Sequence, residues 1–463
     1  MGKKRHEKSR RTKYDGRRDR DYFETNIRRK SIWHSLEDNP VMQTALKAFL
    51  VTLFVVLGTG ILVLCIVADR KAALNEPYKR SKKDDSNAAS IEWEAIPEAD
   101  KFYFANVQSD GIDGIGESSG SDGNVVIDIP EEDKDYTHVI ATADSDAVTI
   151  GFAGDILFDD NYAAGDAFRK HGNSAVGVVG DSLLSKMTGA DIMMVNNEFP
   201  YSNGGVACEG KTFTFRARPE TAAILNTMGV DIVGLANNHA YDYGQQALKD
   251  TFSSLDAVGV EYAGAGNNID EASHTIYYIT ESGMKIAIIC ATQIERIQNP
   301  DTKEATANSA GVFRCLDDTM LLERVREARE KNAYVIVYIH WGTESTSEID
   351  YLQRDQAAEI ADAGANLIIG NHPHVLQKIE YVKGVPVVYS LGNFLFNSKT
   401  VDTCIVLTTL HKDGTVNLQF VPAIQSECTV NEAVSTEADR IIYYMNSLSE
   451  TARIDSNGYV SKK

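Results

Sequence analysis

PETAAILNTMGVDIVGLANNH, residues 219–239, is the stretch on which the reading of the fold turns. Pro219 opens a helix where its missing N–H is no loss, and Gly229 closes that helix. A short apolar strand, DIVGLA, follows and ends in Asn237-Asn238-His239. The unit recurs in DSLLSKMTGADIMMVNNEF (181–199), TMLLERVREAREKNAYVIVYIHWG (319–342) and RDQAAEIADAGANLIIGNHPH (354–374). AVTIGFAGD (147–155) adds a strand that ends in Gly-Asp. Continuous apolar strands between helices need cover on both faces, which predicts an α/β layered fold.

Other apolar runs pair by turns. TIYYITESGMKIAIICA (275–291), VVYSLGNFLF (387–396) and TCIVLTTLHKDGTVNLQF (403–420) read as hairpins, with turns at ESG and KDG in the first and third. The sheet is therefore mixed, or two sheets pack together. EADRIIYYMNSLSETAR (437–453) supplies a terminal helix. No linker interrupts residues 146–463, so they read as one domain.

The chain has 463 residues, 46 Lys+Arg against 66 Asp+Glu, and a net charge of −20. With 43% hydrophobic and 24% charged residues it is not globally disordered, and six Cys exclude a disulfide scaffold. A pI near 5.0 argues against nucleic acid as a partner. The average hides four segments. Residues 1–47 hold 14 basic and 7 acidic residues, a net of +7. Residues 48–68, AFLVTLFVVLGTGILVLCIVA, carry no charge. Residues 69–145 are acidic, with 8 basic and 18 acidic residues, and 146–463 hold 24 basic and 41 acidic, a net of −17.

An uncharged apolar run of 21 residues matches a hydrocarbon core of about 30 Å at 1.5 Å per residue. It is too long, and too far from the N-terminus, for a cleaved signal peptide. The basic flank sets the orientation: 1–47 is a cytoplasmic tail, 48–68 a transmembrane signal anchor, and the rest lies outside the cell membrane. Residues 69–145, with SDGIDGIGESSGSDGN at 109–124, read as an acidic, largely disordered tether with room for a pairing strand near Val125–Ile129. Of the external cysteines, Cys208, Cys290, Cys315, Cys404 and Cys428, an odd number, at least one is free.

In α/β sheets ligands bind beyond the carboxyl ends of strands. Here those ends are rich in metal-ligand residue types: Asp155, Glu198, Asn237-Asn238-His239, His340 with Glu344, and Asn371-His372-Pro373-His374. An H-x-H pair on a tight turn suits a transition metal, and mixed Asp, Glu, Asn and His suit Mn, Fe or Zn.

Read in order, GD (Asp155), NNEF (Glu198), LANNHAYDYG (Asn238, His239, Asp242), HWGTE (His340, Glu344), GNHPHVLQ (His372, His374, Gln377) and YSLGNFLF (Asn393) resemble the CapA family, capsule-synthesis proteins linked to poly-γ-glutamate production. The resemblance spans about Val148 to Phe396. That family in turn resembles the calcineurin-like metallophosphoesterases. It implies a metallophosphatase-like layered fold, mixed sheets flanked by helices, preceded here by one transmembrane helix. It also implies one or two divalent transition ions on Asp155, Glu198, Asn238, His340, His372 and His374. His239 would be the general acid or transition-state stabiliser, oriented by Asp242; Glu344, Gln377 and Asn393 would support the ligands. Two departures stand out: Leu157 replaces the His of the Asp-x-His motif, and Glu198 replaces a bridging Asp.

Such a site would activate water against a phosphoester, or polarise an amide of γ-linked polyglutamate. An acidic domain repels a polyanion, so Lys211, Arg216 and Arg218 in KTFTFRARPE are candidate substrate-binding cations. The expectation is a membrane-anchored, metal-dependent hydrolase of the cell envelope working with other capsule synthesis and export proteins. The alternative is a non-catalytic scaffold or polymer-binding component of the same assembly.

Overall fold

The computed structural model describes residues 129–294 and 302–463. The apolar segment 48–68 and the basic tail lie outside these residues. Among the described residues no helix is long and apolar enough to cross a membrane.

Two mixed sheets pack face to face. The first runs β1 (Thr137–Ile140), β7 (Ile276–Thr280), β8 (Lys285–Thr292), β10 (Tyr334–His340), β11 (Leu367–Asn371), β13 (Val385–Val388) and β12 (Ile379–Val382). The second runs β17 (Thr429–Glu432), β16 (Val416–Ser426), β15 (Val401–His411), β2 (Ala147–Ile156), β3 (Ile192–Asn197), β4 (Ile232–Gly234) and β5 (Glu261–Ala263), with β14 (Asn393–Leu395) beside β2. Small ladders join β6 (Ala265–Gly266) to β9 (Gly311–Val312) and β18 (Ala452–Ile454) to β19 (Val460–Lys462).

Strand alternation explains the layers. In β10, Tyr334, Ile336 and Tyr338 enter the core between the sheets, where they join Ile150 and Phe152 of β2 and Met194 of β3. Val335, Val337 and Ile339 face the other way, onto Leu321, Val325 and Ala328 of α6 (Thr319–Glu330) and Ala357 and Ile360 of α7 (Tyr351–Ala363). Beyond the second sheet a third core takes Val195 with residues of α2 (Asp181–Thr188), α3 (Ala223–Met228) and α4 (Gly244–Val258). The layered α/β fold with mixed sheets flanked by helices is thus as expected.

The helix–glycine–strand units are also as read. Gly229 takes the left-handed conformation (φ 72°) at the end of α3, and its cap N–H bonds back into the helix. Two hairpins form where ESG and KDG placed them, β7–β8 and β15–β16. VVYSLGNFLF, however, is no hairpin. β13 stays in the first sheet, and after Gly392 the chain crosses to the second, where Asn393 aligns in parallel with Asp155.

That crossing explains the glycine of the Gly-Asp motif. The Gly392 carbonyl accepts the Asp155 N–H at 3.1 Å, and a Cβ on Gly154 would stand 1.9 Å from it.

The acidic segment read as a tether to Ser145 needs correction at its end. A 3-10 turn, Glu131–Tyr136, leads into β1, which joins the first sheet parallel to β7. Asp133 is buried there and paired with Lys331, while the Tyr136 ring stacks on His274 at 3.5 Å. A segment with so few apolar residues is held by its ladder to β7, a half-buried ion pair and an aromatic stack, which periodicity does not reveal. Cys208, Cys290, Cys404 and Cys428 are free thiols.

Gly154→Ala is expected to destabilise the chain by about 3 kcal/mol, since backbone rather than a flexible side chain blocks the methyl. Gly259→Ala, left-handed (φ 69°) but with nothing within 4 Å, should cost only about 1 kcal/mol. Urea unfolding midpoints of the two variants test the order, and equal losses would contradict this account of the crossing.

Candidate metal centre

The site lies where the carboxyl ends of both sheets meet. The second sheet brings Asp155 (β2), Asn196 (β3), Glu198 just beyond β3, and Asn237, Asn238 and His239 beyond β4. The first brings His340 (end of β10) and His372 and His374 (beyond β11). Tyr338 locks the sheets in relative position by donating its OH to the Ala153 carbonyl at 3.1 Å. Strand register therefore puts residues more than 180 positions apart in sequence into one cluster.

Glu198 is its centre. The carboxylate is fully buried, and Oε1 accepts no hydrogen bond. Around that oxygen stand three imidazole nitrogens: His340 Nε2 at 3.8 Å, His374 Nε2 at 3.8 Å and His239 Nε2 at 4.0 Å. These are too long for hydrogen bonds. They suit ligands that each sit about 2.0–2.2 Å from a common ion. His340 Nε2 is also 2.9 Å from Asn238 Oδ1 and 3.0 Å from His372 Nδ1. Lone-pair atoms from four side chains thus crowd one point, with only the imidazole protons to separate them.

Two ligand groups can be drawn, Asp155–Glu198–His340 and Glu198–His372–His374, and they share Glu198. The donor set fits a divalent transition ion, because hard carboxylates and borderline imidazoles suit Mn, Fe or Zn. The orphaned oxygen gives the fit a physical reason: an unpaired buried acceptor costs roughly 1–3 kcal/mol, and a cation would satisfy it.

The backbone is strained at the H-P-H turn. His372 (φ 95°) and His374 (φ 59°) both lie in the left-handed region. Such conformations cost about 1–3 kcal/mol each and persist only where the surroundings impose them. Here Ser345 N–H donates to the Pro373 carbonyl at 2.8 Å. Gln377, fully buried, donates to the carbonyls of Thr346 (3.1 Å) and Glu348 (3.3 Å) and accepts from Gln353. Gln377 thus braces the loop after β10 rather than a ligand. Glu344 sits exposed on that loop and adds negative charge near His374. Asn393 touches the site directly, with Oδ1 2.9 Å from His374 Nδ1 beside Asp155 Oδ2 at 3.0 Å. Those two acceptors keep the proton on Nδ1 and turn Nε2 toward Glu198.

The electrostatics are unequal. Burial pushes the Glu198 carboxyl well above the usual carboxylate range; His374 opposes the shift and Asp155 adds to it. Burial, with His372 and His374 beside it, holds His340 well below the ordinary imidazole range. Burial also disfavours the charged form of His374, yet the Glu198 and Asp155 carboxylates override it and raise its pKa to about 10. Burial lowers His239 against the pull of Asp242.

Asp242 bonds His239 Nδ1 at 2.7 Å, so the orienting role expected for it has the right geometry and Nε2 is left facing Glu198. The same carboxylate accepts Phe215 N–H at 2.7 Å, so it does not cap the helix that follows. Phe215 and Phe396 wall the site, 4.4 Å from the His239 ring and 4.7 Å from the His374 ring.

The three expected substrate cations form no common patch. The Lys211 side chain is only 7% exposed and bonds Asp242 and the Asn238 carbonyl. Arg216 lies over the Tyr243 ring at 4.1 Å and donates to the Gly204 carbonyl. Arg218 pairs with Asp160 and Glu220. Each answers a local carboxylate, carbonyl or ring, which residue type alone does not disclose.

Asn196 was not foreseen. Its amide donates to Asp155 Oδ1 at 2.7 Å and Glu198 Oε2 at 3.3 Å, and its oxygen accepts from Asn237. The available signal was spacing, since a strand residue two before Glu198 shares its face. Leu157 fills the position where a His was missing, and it is buried in the outer core.

Residues 149–398 match the family described as Bacterial capsule synthesis protein PGA_cap. The chain is similar to PGA biosynthesis protein CapA of Bacillus subtilis strain 168, at 33% identity over 222 residues, 47% of this chain and 57% of that protein. Capsule biosynthesis protein CapA of Bacillus anthracis is 32% identical over 219 residues, 46% and 52% of the two chains. A probable polyglutamine synthesis accessory protein of Mycobacterium tuberculosis is 22% identical over 274 residues, 54% and 70%. The chain spans about half the length of the two Bacillus relatives. With more than half of its 463 residues matched, this chain belongs to the PGA_cap family of bacterial capsule synthesis proteins.

Proposed function

We propose that this protein serves capsule or poly-γ-glutamate synthesis at the cell envelope, with a metal-dependent hydrolase site of phosphoesterase type. The observation that carries the reading is Glu198 Oε1, buried, without a hydrogen bond, and ringed by three imidazole nitrogens. Family membership and the biosynthetic roles that the two Bacillus relatives are named for support the capsule setting.

Asp155, Glu198, Asn238, His340, His372 and His374 are the residues that would hold one or two ions. Manganese, iron or zinc bound there supplies Lewis acidity toward an anionic or carbonyl oxygen. His239 exchanges a proton at Nε2, because Asp242 keeps the other ring nitrogen protonated. In that state His239 is a proton acceptor, and it protonates a leaving oxygen only after taking up a proton. Phe215 and Phe396 limit water at the ring faces. The substrate class is a phosphoester or a γ-linked anionic polymer.

A second reading, a scaffold or polymer-binding component, has one observation in its favour. Leu157 occupies a ligand position of the related phosphoesterases and lies in the core, so one ion would have fewer ligands.

Elemental analysis of the purified full-length chain should find about one to two Mn, Fe or Zn per molecule. Glu198→Gln should abolish that content without lowering the thermal midpoint of the metal-free chain, since it removes a buried carboxylate that lacks a full set of partners. Metal-free wild-type protein, combined with unchanged capsule in His372→Ala cells, would sink the metal reading. Metal-loaded protein that hydrolyses neither bis(p-nitrophenyl) phosphate nor γ-polyglutamate, in a strain that needs it for capsule, would favour the scaffold.

Anchoring is proposed on segment 48–68 and its basic flank, with residues 1–47 in the cytoplasm and the domain outside. Protease added to intact cells should then remove the domain and leave the tail. A domain protected until lysis would overturn this topology.

A further inference from the structure

We propose that Lys211 is a positioning residue. It clamps the loop 203–215 onto the turn that carries Asn238, His239 and Asp242, and so fixes His239 in its working orientation. It is not a substrate-binding cation.

Three observations converge on this clamp. First, the Lys211 side chain is almost wholly buried, and its ammonium donates both to an Asp242 carboxylate oxygen and to the Asn238 backbone carbonyl. A lysine that met substrate would keep its charged head in water.

Second, Asp242 joins the loop to the histidine. Oδ1 accepts from Lys211, while Oδ2 accepts from His239 Nδ1 and from Phe215 N–H, both at 2.7 Å. Burying one carboxylate with three donors is favourable only when all three are present. Without the lysine, Asp242 would hold a full charge in the interior with only the backbone amide and the imidazole to balance it.

Third, the loop is seated on that turn along its length. Cys208 N–H donates to the Asp242 carbonyl at 2.8 Å, and Cys208 Sγ approaches the Tyr241 carbonyl at 3.1 Å. Gly205 passes so near the Tyr243 carbonyl that a Cβ would stand 2.1 Å from it. Phe215, at the loop's end, lies 4.4 Å from the His239 ring. The outer part of the loop is exposed, with Phe213 58% and Val206 82% accessible. One buried ion pair thus ties an exposed loop to the imidazole that faces the metal ligands.

The proton role of His239 rests on the function proposed above, but the clamp does not, and the test uses chelator-treated protein so that the two can fail separately. Full-length wild type, Lys211→Met, Asp242→Asn and the double variant are compared in two ways. One is the rate of chymotryptic cleavage after Phe213; the other is carbethoxylation of His239 by diethyl pyrocarbonate, read by peptide mass. Lys211→Met should raise both rates at least tenfold while far-UV circular dichroism stays unchanged. The double variant should be no faster than the faster single one, because both changes break the same link. It also removes the unpaired buried charge, so it remains informative if Lys211→Met fails to fold. Rates in Lys211→Met equal to wild type would overturn the proposal, as would effects that multiply in the double variant. If the clamp result holds in a protein that binds no metal, the hydrolase reading falls and the Lys211 assignment stands.

Discussion

The structure depends on one buried carboxylate at the seam between two sheets. Glu198 stands just beyond β3 of the second sheet and faces His340 and His374, which the first sheet delivers. An unpaired acidic oxygen in a dry interior opposes folding unless a cation meets it. That constraint accounts for the gathering of imidazoles around Glu198 and for the two strained histidines of the H-P-H turn. It also accounts for the braces behind them, with Asn393 and Asp155 on His374 Nδ1 and Gln377 on the neighbouring loop. Backbone strain at His372 and His374 and the unmet Glu198 acceptor coincide in this cluster, as they do at functional sites.

The architecture explains how so polar a cluster is tolerated. Three apolar cores flank or separate the sheets, and Tyr338 fixes one sheet against the other. Gly154 lets the chain cross from β13 to β14 and places Asn393 in register with Asp155. Strands carry Asp155 and His340, and the turns just beyond strand ends carry Glu198, Asn238, His372 and His374. The His239 imidazole is held by Asp242, which is in turn paired with Lys211.

Much of this was legible in the sequence. The helix–glycine–strand units and two hairpins follow from periodicity and turn chemistry, which act over a few residues. The candidate ligand residues stand out in the sequence because they lie at or just beyond the ends of strands that run parallel within each sheet. What was hidden depends on distant pairing. The crossing at Gly392 was mistaken for a hairpin because two apolar runs around a glycine look alike whether they pair with each other or with different sheets. β1 was hidden because its segment is held by Asp133 with Lys331 and by a Tyr136–His274 stack, contacts made across more than 130 residues. Lys211 was assigned to substrate because a lysine beside two arginines looks like a cationic patch, and only the fold shows that it belongs to Asp242.

The central claim is that Glu198 and its imidazoles exist to hold an ion. Anomalous X-ray scattering from crystals of the protein grown with Mn²⁺ tests it most directly. The account predicts an anomalous peak about 2.2 Å from Glu198 Oε1 and within bonding distance of at least one of His340, His372 and His374. A map without such a peak, in which Glu198 Oε1 instead accepts a hydrogen bond from a protein group or an ordered water, would contradict it.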